Sequence, residues 1–183
     1  MERRRGAELE AVLLDAAWAE LMESGYARLT MEAVAARAQT GKQVLYRRWR
    51  NRAELVIAAM RHHTGSIVEN VPDTGSLRGD VLGVLQLMAD RVTRMGPDTV
   101  HGLMAEAPDL EPEMYSRMTG VMATIVKRAA ERGEIATADV PAAVLTAPTN
   151  LMRHEMFFSH SAVPSSTMTA LVDDVFLPLV RGT

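Results

Sequence analysis

The chain has 183 residues, of which 48% are hydrophobic and only 4% aromatic, and its formal net charge is -3 at pH 7. This length allows a packed core, and the low aromatic content is typical of helices packed on helices. The absence of cysteine excludes disulfides and thiolate chemistry. No run reaches the roughly 18 apolar residues of a membrane span, so we expect a soluble, cytoplasmic protein with no membrane partner.

The first 70 residues predict a basic arm and four helices. Residues 1–6 are expected to be a disordered tail that solubilises the chain, in preference to a minor-groove contact. Helical spacing of apolar residues predicts a helix over residues 7–24, which Gly25 ends. Thr30 is a good N-cap for a second helix over residues 31–38, and the turn at residues 39–41 leads to a third over residues 42–49. Asn51 can cap a fourth over residues 52–70.

Glycines and prolines divide the rest of the chain into further helices. These are expected near residues 76–95, 98–106 and 112–132, then from residues 139–141 to about residue 160, and over residues 165–180. Pro148 lies inside the second-last helix, where its missing N–H group favours a kink. No segment alternates strictly between apolar and polar residues, so the fold class is all-α with about nine helices. Residues 1–52 are predicted to form a three-helix helix-turn-helix head with its basic arm, and residues 53–183 a larger helical body.

The charge of the chain is concentrated by region. Residues 1–60 carry a net charge of +2 and residues 61–183 a net charge of -5. From Tyr26 to Arg52 there are seven basic residues and one acidic residue, Glu32. A local basic surface on an acidic protein favours a DNA-binding function over a charge run that is only solvated.

The third predicted helix carries the basic and polar side chains that DNA recognition needs. Within less than two turns, one face of this helix carries cations that can bind phosphate and donors that can read base edges. Such a face suits insertion into a major groove. Trp49 is expected to pack into the head. The side chains on the exposed side are Lys42, Gln43, Tyr46, Arg47 and Arg48.

The last two predicted helices carry apolar stripes at helical spacing. These stripes have two interpretations of about equal weight: a core within the chain, or a four-helix interface between two copies. The candidate interface residues are Val144, Ala147, Leu151, Phe158, Met168, Leu171, Val172, Val175, Phe176 and Leu179.

The N-terminal segments, residues 8–56, closely resemble the TetR (tetracycline-repressor-like) family of bacterial transcription regulators. The resemblance rests on the stop at Gly25, the cap at Thr30, the Ala-rich second helix, the Leu-Tyr-Arg-Arg-Trp ending at residues 45–49 and the start of the fourth helix at residues 51–55. It implies a homodimer that binds double-stranded DNA at a palindromic operator, with an effector pocket in each body. By position, the residues that it implies for DNA binding are Thr30 and Arg52 as phosphate contacts, Lys42, Gln43, Tyr46 and Arg47 on the recognition helix, with Arg48 and Thr40 beside them.

Two residues of the turn depart from this family's pattern. Gln39 occupies a position where the family commonly has glycine, because the backbone leaves the second helix with a positive φ. We therefore expect Gln39 to accept that strain or to use a different turn. Gly41 replaces the usual Ser or Thr cap of the recognition helix and is a weaker cap.

The body contains many methionines, nine of the thirteen in the chain lying from Met88 onward. Core filling is the simpler interpretation of these side chains. Alternatively, pliable thioethers could line a pocket for an apolar or amphipathic effector, with a few polar anchors. The candidate pocket residues are Met88, His101, Met104, Met118, Met122, Asn150, His154 and Phe157.

The sequence offers no catalytic set and no cofactor motif. His101 and His154 lack closely spaced partners, so we expect no metal site at these positions. The hypothesis is therefore a DNA-binding transcriptional regulator and not an enzyme: a ligand-responsive repressor acting as a dimer. A small-molecule-binding module and an effector-independent regulator are the alternatives.

Overall fold

A computed structural model of the chain describes residues 6–106, 110–158 and 162–182, and every regular element within these ranges is helical. This confirms the all-α class. The last three segments follow one another without a break, so the described ranges hold nine helical stretches. In chain order the elements are α1 (Ala7–Ser24), α2 (Met31–Arg37), α3 (Lys42–Tyr46), α4 (Arg52–Thr64), α5 (Leu77–Met95), α6 (Pro97–Glu106), α7 (Leu110–Glu131), α8 (Ala142–Phe158), α9 (Ser165–Ala170), a π-helical segment (Leu171–Phe176) and α10 (Leu177–Arg181).

The helices divide into two compact units. The first unit contains the chain up to Ser66 together with the segment that begins at Asp98, and so holds α1–α4 and nearly all of α6. The second unit begins at Ile67, is interrupted after Pro97 and resumes to hold α5 and α7–α10. Helices α4 and α6 are thus grouped with the N-terminal helices, while the predicted domain boundary at residue 52 stays a prediction. The basic arm at residues 1–5 lies outside the described residues.

Side-chain caps fix the helix starts in the first unit. The Thr30 Oγ1 accepts a hydrogen bond from the Ala33 N–H at 3.1 Å, and the Asn51 Oδ1 accepts one from the Glu54 N–H at 2.9 Å. Both predicted caps are therefore confirmed. Helix α4 ends at Thr64 and not at residue 70, because Gly65 takes a φ of 73° that stops the helix.

The core of the first unit is built from small and branched apolar side chains. Leu13, Leu45 and Leu55 are completely buried in one cluster, and Leu103 of α6 belongs to the same cluster. The apolar face of α6 therefore completes this core.

The core of the second unit is formed by α5, α7, α8 and the C-terminal helical stretch. Met122, Ile125 and Met152 are completely buried in it. The buried Asp80 carboxylate accepts hydrogen bonds from the Thr74 Oγ1 at 2.8 Å and from Arg132 at 3.2 Å. Paired in this way, the carboxylate does not carry the cost of an unsatisfied buried charge.

The C-terminal helical stretch changes its winding in the middle. Pro178 has no N–H group to donate to the carbonyl four residues earlier, and the Leu177 N–H bonds to the Val172 carbonyl five residues back. This wider turn keeps side chains four residues apart on one face.

The burial of individual side chains bears on the two interpretations of the last apolar stripe for half of its residues. Met168, Val172 and Phe176 are buried in the core of the same chain. A second copy could remove almost no further area from water at these positions. Their burial favours the intrachain core for these three residues, and a role in an interface between two copies stays a prediction.

In the part of the chain that the structure describes, no helix combines the length and apolarity that crossing a membrane requires.

Candidate nucleic-acid interface

The short helix α3 is anchored by one side and exposed on the other. Leu45 is completely buried and Trp49 nearly so, which confirms the inward position predicted for Trp49. The basic and polar side chains of α3 and of the two residues that follow it point to solvent, and half of the Tyr46 side chain is exposed. The exposed residues are Lys42, Gln43, Tyr46, Arg47 and Arg48.

The turn before α3 forces an ordinary residue into a left-handed conformation. Gln39 has a φ of 53°, and it is the non-glycine residue with a positive φ among the described residues. The Thr40 N–H donates to the Ala35 carbonyl at 2.9 Å and the Gln39 N–H to the Ala36 carbonyl at 3.1 Å. These two bonds form a Schellman motif, which normally places glycine at this position. Gln39 therefore adopts the strained left-handed conformation and does not use a different turn, which is the first of the two alternatives predicted from the sequence.

Gly41 begins α3 in an extended conformation, with φ -80° and ψ 141°, and supplies no side-chain cap. The start of α3 therefore has no side-chain cap, although the Val44 N–H donates to the Gly41 carbonyl at 2.9 Å.

Much of the basic excess between residues 26 and 52 is paired with carboxylates of the same chain at its surface. Arg37 pairs with two glutamates of α1, which ties α2 to α1. The Lys42 Nζ lies 3.4 Å from Glu32, and the Arg50 Nε lies 2.6 Å from Glu54. The charge count taken from the sequence therefore overstates the cations that are free to meet DNA.

Two arginines at the end of α3 differ from the others. Among the described residues, no carboxylate forms an ion pair with Arg47 or Arg48, and the Arg48 guanidinium donates to the Val44 carbonyl at 3.1 Å. Both side chains are exposed. Arg47 is therefore the recognition-helix cation best placed to meet an external anion.

Arg52 has a structural role that the sequence did not predict. Its Nε donates to the Glu106 Oε2 at 2.9 Å, and a second donor of the guanidinium meets the other carboxylate oxygen. Its Nη1 donates to the Leu29 carbonyl at 2.8 Å and to the Tyr26 carbonyl at 3.2 Å. Arg52 thus joins the start of α4, the loop before α2 and the end of α6.

Tyr26 lies beneath this guanidinium. The carbon at the centre of the Arg52 guanidinium is 4.7 Å from the Tyr26 ring centroid, and the Tyr26 hydroxyl donates to the Glu106 Oε2 at 3.0 Å. The hydrogen bond from Arg52 lowers the pKa of Glu106, while burial raises the pKa of the Tyr26 phenol. We name Tyr26, Arg52 and Glu106 the tyrosine–arginine–glutamate cluster.

Gly102 makes room for the ring of this cluster. A Cβ atom at Gly102 would lie 2.3 Å from the Tyr26 Cδ1 and 2.6 Å from its Cε1. Sequence reasoning missed both Gly102 and Glu106, since no local pattern links a helix end to a loop some 80 residues earlier.

The structure does not gather the predicted pocket residues into one group. Met88 and Met122 are buried in the second unit's core, and the half-buried Met118 packs against it. Asn150, His154 and Phe157 are exposed along α8, where the His154 ring lies 4.6 Å from the Phe158 ring. His101 and Met104 lie on α6 and are grouped with the first unit. Their role in a pocket stays a prediction.

The predicted interface residues outside the core remain accessible in part. Phe158 is 67% exposed and Leu179 45% exposed, and Leu151 is also exposed. Val144, Ala147, Leu171 and Val175 are half-buried. The accessible apolar residues thus lie along α8 and on α10.

Comparison with known proteins places this geometry in a family. Residues 13–59 match the model of bacterial regulatory proteins of the tetR family, and residues 71–175 match the tetracyclin repressor-like C-terminal domain. The DNA-binding transcriptional repressor TetR of Mycobacteroides abscessus is 30% identical to this chain, and the matched region spans 97% of this chain and 96% of the relative. An uncharacterized HTH-type transcriptional regulator of Mycobacterium bovis is 32% identical, over 89% of this chain and 84% of its own.

A solved structure shows the same fold. The crystal structure of the TetR family transcription regulator SCO0332 has a TM-score of 0.70 and 25% sequence identity to this chain, and it covers 92% of this chain and 97% of that one.

The fold and the exposed recognition helix, with these relatives, define a transcription regulator with a helix-turn-helix DNA-binding domain. The chain belongs to the TetR family, which confirms the resemblance seen in residues 8–56. The matching proteins are regulators and not enzymes, in agreement with the prediction.

Proposed function

We propose that the protein is a ligand-responsive repressor that binds a palindromic operator as a homodimer. The observation that carries the proposal is the two-sided helix α3. Leu45 and Trp49 hold it to the first unit, while Lys42, Gln43 and Arg47 extend to solvent. Such a helix can enter a major groove without unpacking the core that holds it.

The exposed side chains have distinct roles in this proposal. Lys42 and Gln43 lie at the start of α3, the end that reaches base edges in helix-turn-helix complexes. Arg47 lies about one turn further and donates to a guanine or a phosphate. Tyr46 presents its hydroxyl to a phosphate, and Thr30 and Thr40 lie near the helix starts where phosphates are bound.

Arg52 and Arg48 contribute less in this proposal. A phosphate contact by Arg52 would share the guanidinium with Glu106 and two carbonyl oxygens. Arg48 would have to release the Val44 carbonyl or use its other donors. We expect substitution at Arg47 to affect DNA affinity more than substitution at Arg48.

The proposed dimer uses the accessible apolar side chains of α8 and α10. Two copies related by a two-fold axis would bury Leu151, Phe158 and Leu179, which a single chain leaves exposed. Leu179→Glu should therefore produce monomers in light scattering. Met22→Glu changes an exposed apolar residue of α1 and serves as the matched control. A dimer that persists in Leu179→Glu would contradict this interface.

The proposed effector is a small apolar or amphipathic molecule bound by the second unit. Met88, Met118 and Met122 supply adaptable apolar side chains there, and Asn150 and His154 supply polar groups. The effector can act only by binding the operator-bound and the free protein with different affinities. An effector-independent regulator would bind the operator equally well in the presence of every compound that binds the second unit.

Selection of bound duplexes from a random DNA library tests the DNA-binding proposal. The expected product is a palindromic consensus, whose affinity falls steeply as salt rises because bound cations release counterions from phosphates. Arg47→Ala should weaken binding to this duplex about 5- to 150-fold. Arg94→Ala removes the same charge from an exposed position in the second unit and should leave the affinity unchanged.

Two results would contradict the proposal. One is an Arg47→Ala affinity within about twofold of the wild type. The other is no enriched duplex from a folded dimer, which together with tight ligand binding would favour the alternative of a small-molecule-binding module.

A further inference from the structure

A second group of polar side chains lies in the first unit, away from α3. Asp15 belongs to α1, and His62 and His63 belong to the last turn of α4. The two helices pack against each other through the first unit's core. We name Asp15, His62 and His63 the histidine–aspartate cluster.

Both imidazoles of this cluster point a ring nitrogen at one carboxylate oxygen. The Nε2 of His62 is 3.3 Å from the Asp15 Oδ1, and the Nε2 of His63 is 3.1 Å from the same atom. Consecutive helical residues project about 100° apart, so they rarely share one partner. Here α1 supplies that partner, and the three ligand atoms lie within 4.8 Å of one another.

These separations suit a small cation. Ligand atoms bound to Zn²⁺ at about 2.0–2.1 Å in a tetrahedron lie about 3.3–3.4 Å apart. Both nitrogen-to-oxygen separations already fall close to that value. The side chains of Asp15, His62 and His63 are 57%, 38% and 30% exposed, so small rotations can close the remaining gap and water can reach a fourth position.

An aromatic contact orients one of the ligands. The His63 ring stacks on Trp18 with centroids 5.0 Å apart and planes 17° from parallel, and the His62 ring meets His63 edge-on at 5.2 Å. Trp18 lies one helical turn after Asp15 on α1. The same helix therefore supplies the carboxylate and fixes the plane of an imidazole that faces it, which reduces the ordering needed for binding.

The donor set selects the kind of ion. Two imidazole nitrogens and one carboxylate oxygen are typical ligands of zinc and neighbouring transition metals, whereas calcium and magnesium prefer oxygen ligands alone. We propose that Asp15, His62 and His63 bind a divalent first-row transition-metal ion, with Zn²⁺ as the expected occupant. The ion would tie the end of α4 to α1, and this site stands or falls independently of the operator and the effector.

Titration of tag-free protein, first treated with chelator, tests the site. Calorimetry with Zn²⁺ should show one ion per chain, and Co²⁺ should develop the intense visible absorption of a tetrahedral site. Asp15→Asn keeps the shape of the side chain but removes its charge, and His63→Ala removes one ligand. Each should weaken Zn²⁺ binding about tenfold or more. Asp174→Asn makes the same exchange as Asp15→Asn at an exposed position of the second unit and should bind Zn²⁺ like the wild type.

Two results would overturn the proposal. The first is no saturable Zn²⁺ heat together with a Co²⁺ spectrum like that of the free ion. The second is wild-type affinity in Asp15→Asn. His62→Ala leaves the Trp18 stack in place, so a loss of binding in this variant would come from the missing ligand and not from lost packing.

Discussion

Gly102→Ala tests whether α6 is packed as closely against the Tyr26 ring as the structure indicates. The new methyl group would lie 2.3 Å from the Tyr26 Cδ1, far inside the sum of van der Waals radii. The Tyr26 ring cannot move easily, because its hydroxyl is hydrogen-bonded to Glu106 and Arg52 covers its face. Either the ring or α6 must shift.

The expected magnitude combines two opposing effects. Overpacking a core costs about 1–3 kcal/mol. Replacing glycine by alanine inside a helix stabilises it by about 1 kcal/mol. Gly120→Ala isolates the second effect, because a Cβ at this exposed position of α7 would meet no atom within 4 Å. Gly102→Ala should therefore be less stable than Gly120→Ala by about 1–3 kcal/mol.

Tryptophan fluorescence during urea unfolding measures the effect on the first unit. Both tryptophans of the chain, Trp18 and Trp49, pack with that unit's core. Circular dichroism follows the helices of the whole chain and reports the gain in Gly120→Ala. In a Tyr26→Ala background the clash is gone, so adding Gly102→Ala should be neutral or stabilising.

A stable Gly102→Ala protein would refute this reasoning. If this variant gains as much stability as Gly120→Ala, the ring and the helix do not meet as closely as described. The same conclusion follows if Gly102→Ala destabilises the protein equally with and without the Tyr26 ring.

Three further substitutions test other parts of the structure. Gln39→Gly should stabilise the first unit by about 1 kcal/mol, because glycine adopts a φ of 53° without strain; an unchanged urea midpoint would contradict this. The pKa of Glu106 is lowered chiefly by the hydrogen bond from Arg52, so its ion pair stabilises the folded state above the ordinary carboxyl pKa and is lost as pH falls through the lowered value. Glu106→Gln should therefore be less stable than wild type near neutral pH, by about 1 kcal/mol or less, and the gap should close as the pH falls through the lowered pKa of Glu106; a constant gap would exclude the ion pair as its cause. Met122→Ala empties a completely buried position of the second unit and should cost about 2–5 kcal/mol by circular dichroism, against about 0.5 kcal/mol or less for the exposed Met22→Ala.

Local signals in the sequence were sufficient to predict the helix-turn-helix elements. Thr30 and Asn51 cap the helices predicted for them, because an N-cap acts on amides only two or three residues away. The positive φ at Gln39 is one of the two alternatives that the resemblance to the TetR family implies for this position. The prediction of α4 to residue 70 was wrong, because the positive φ of Gly65 ends the helix at Thr64.

Contacts between distant parts of the chain could not be predicted. Arg52 was assigned to DNA from its position alone, and its pairing with Glu106 depends on where α6 packs. Periodicity also could not separate Phe176, which is buried, from Leu179, which is exposed, because both continue the same apolar stripe. Phe176 packs into the core of the second unit and Leu179 does not, and this difference depends on contacts with other helices that the period does not contain.

The discontinuous first unit has a consequence for how the protein is made. A ribosome has finished α1–α4 when it reaches Ser66, but the segment that begins at Asp98 and carries Leu103 and Glu106 is still to be added. At roughly 5–20 residues per second, this delay is about 2–8 seconds. During that interval Tyr26 lacks its hydrogen-bond acceptor and Arg52 its counter-ion. Nascent chains stalled when Ser66 has left the exit tunnel but the segment from Asp98 has not should therefore be more sensitive to proteases than chains stalled after Glu106 has left it.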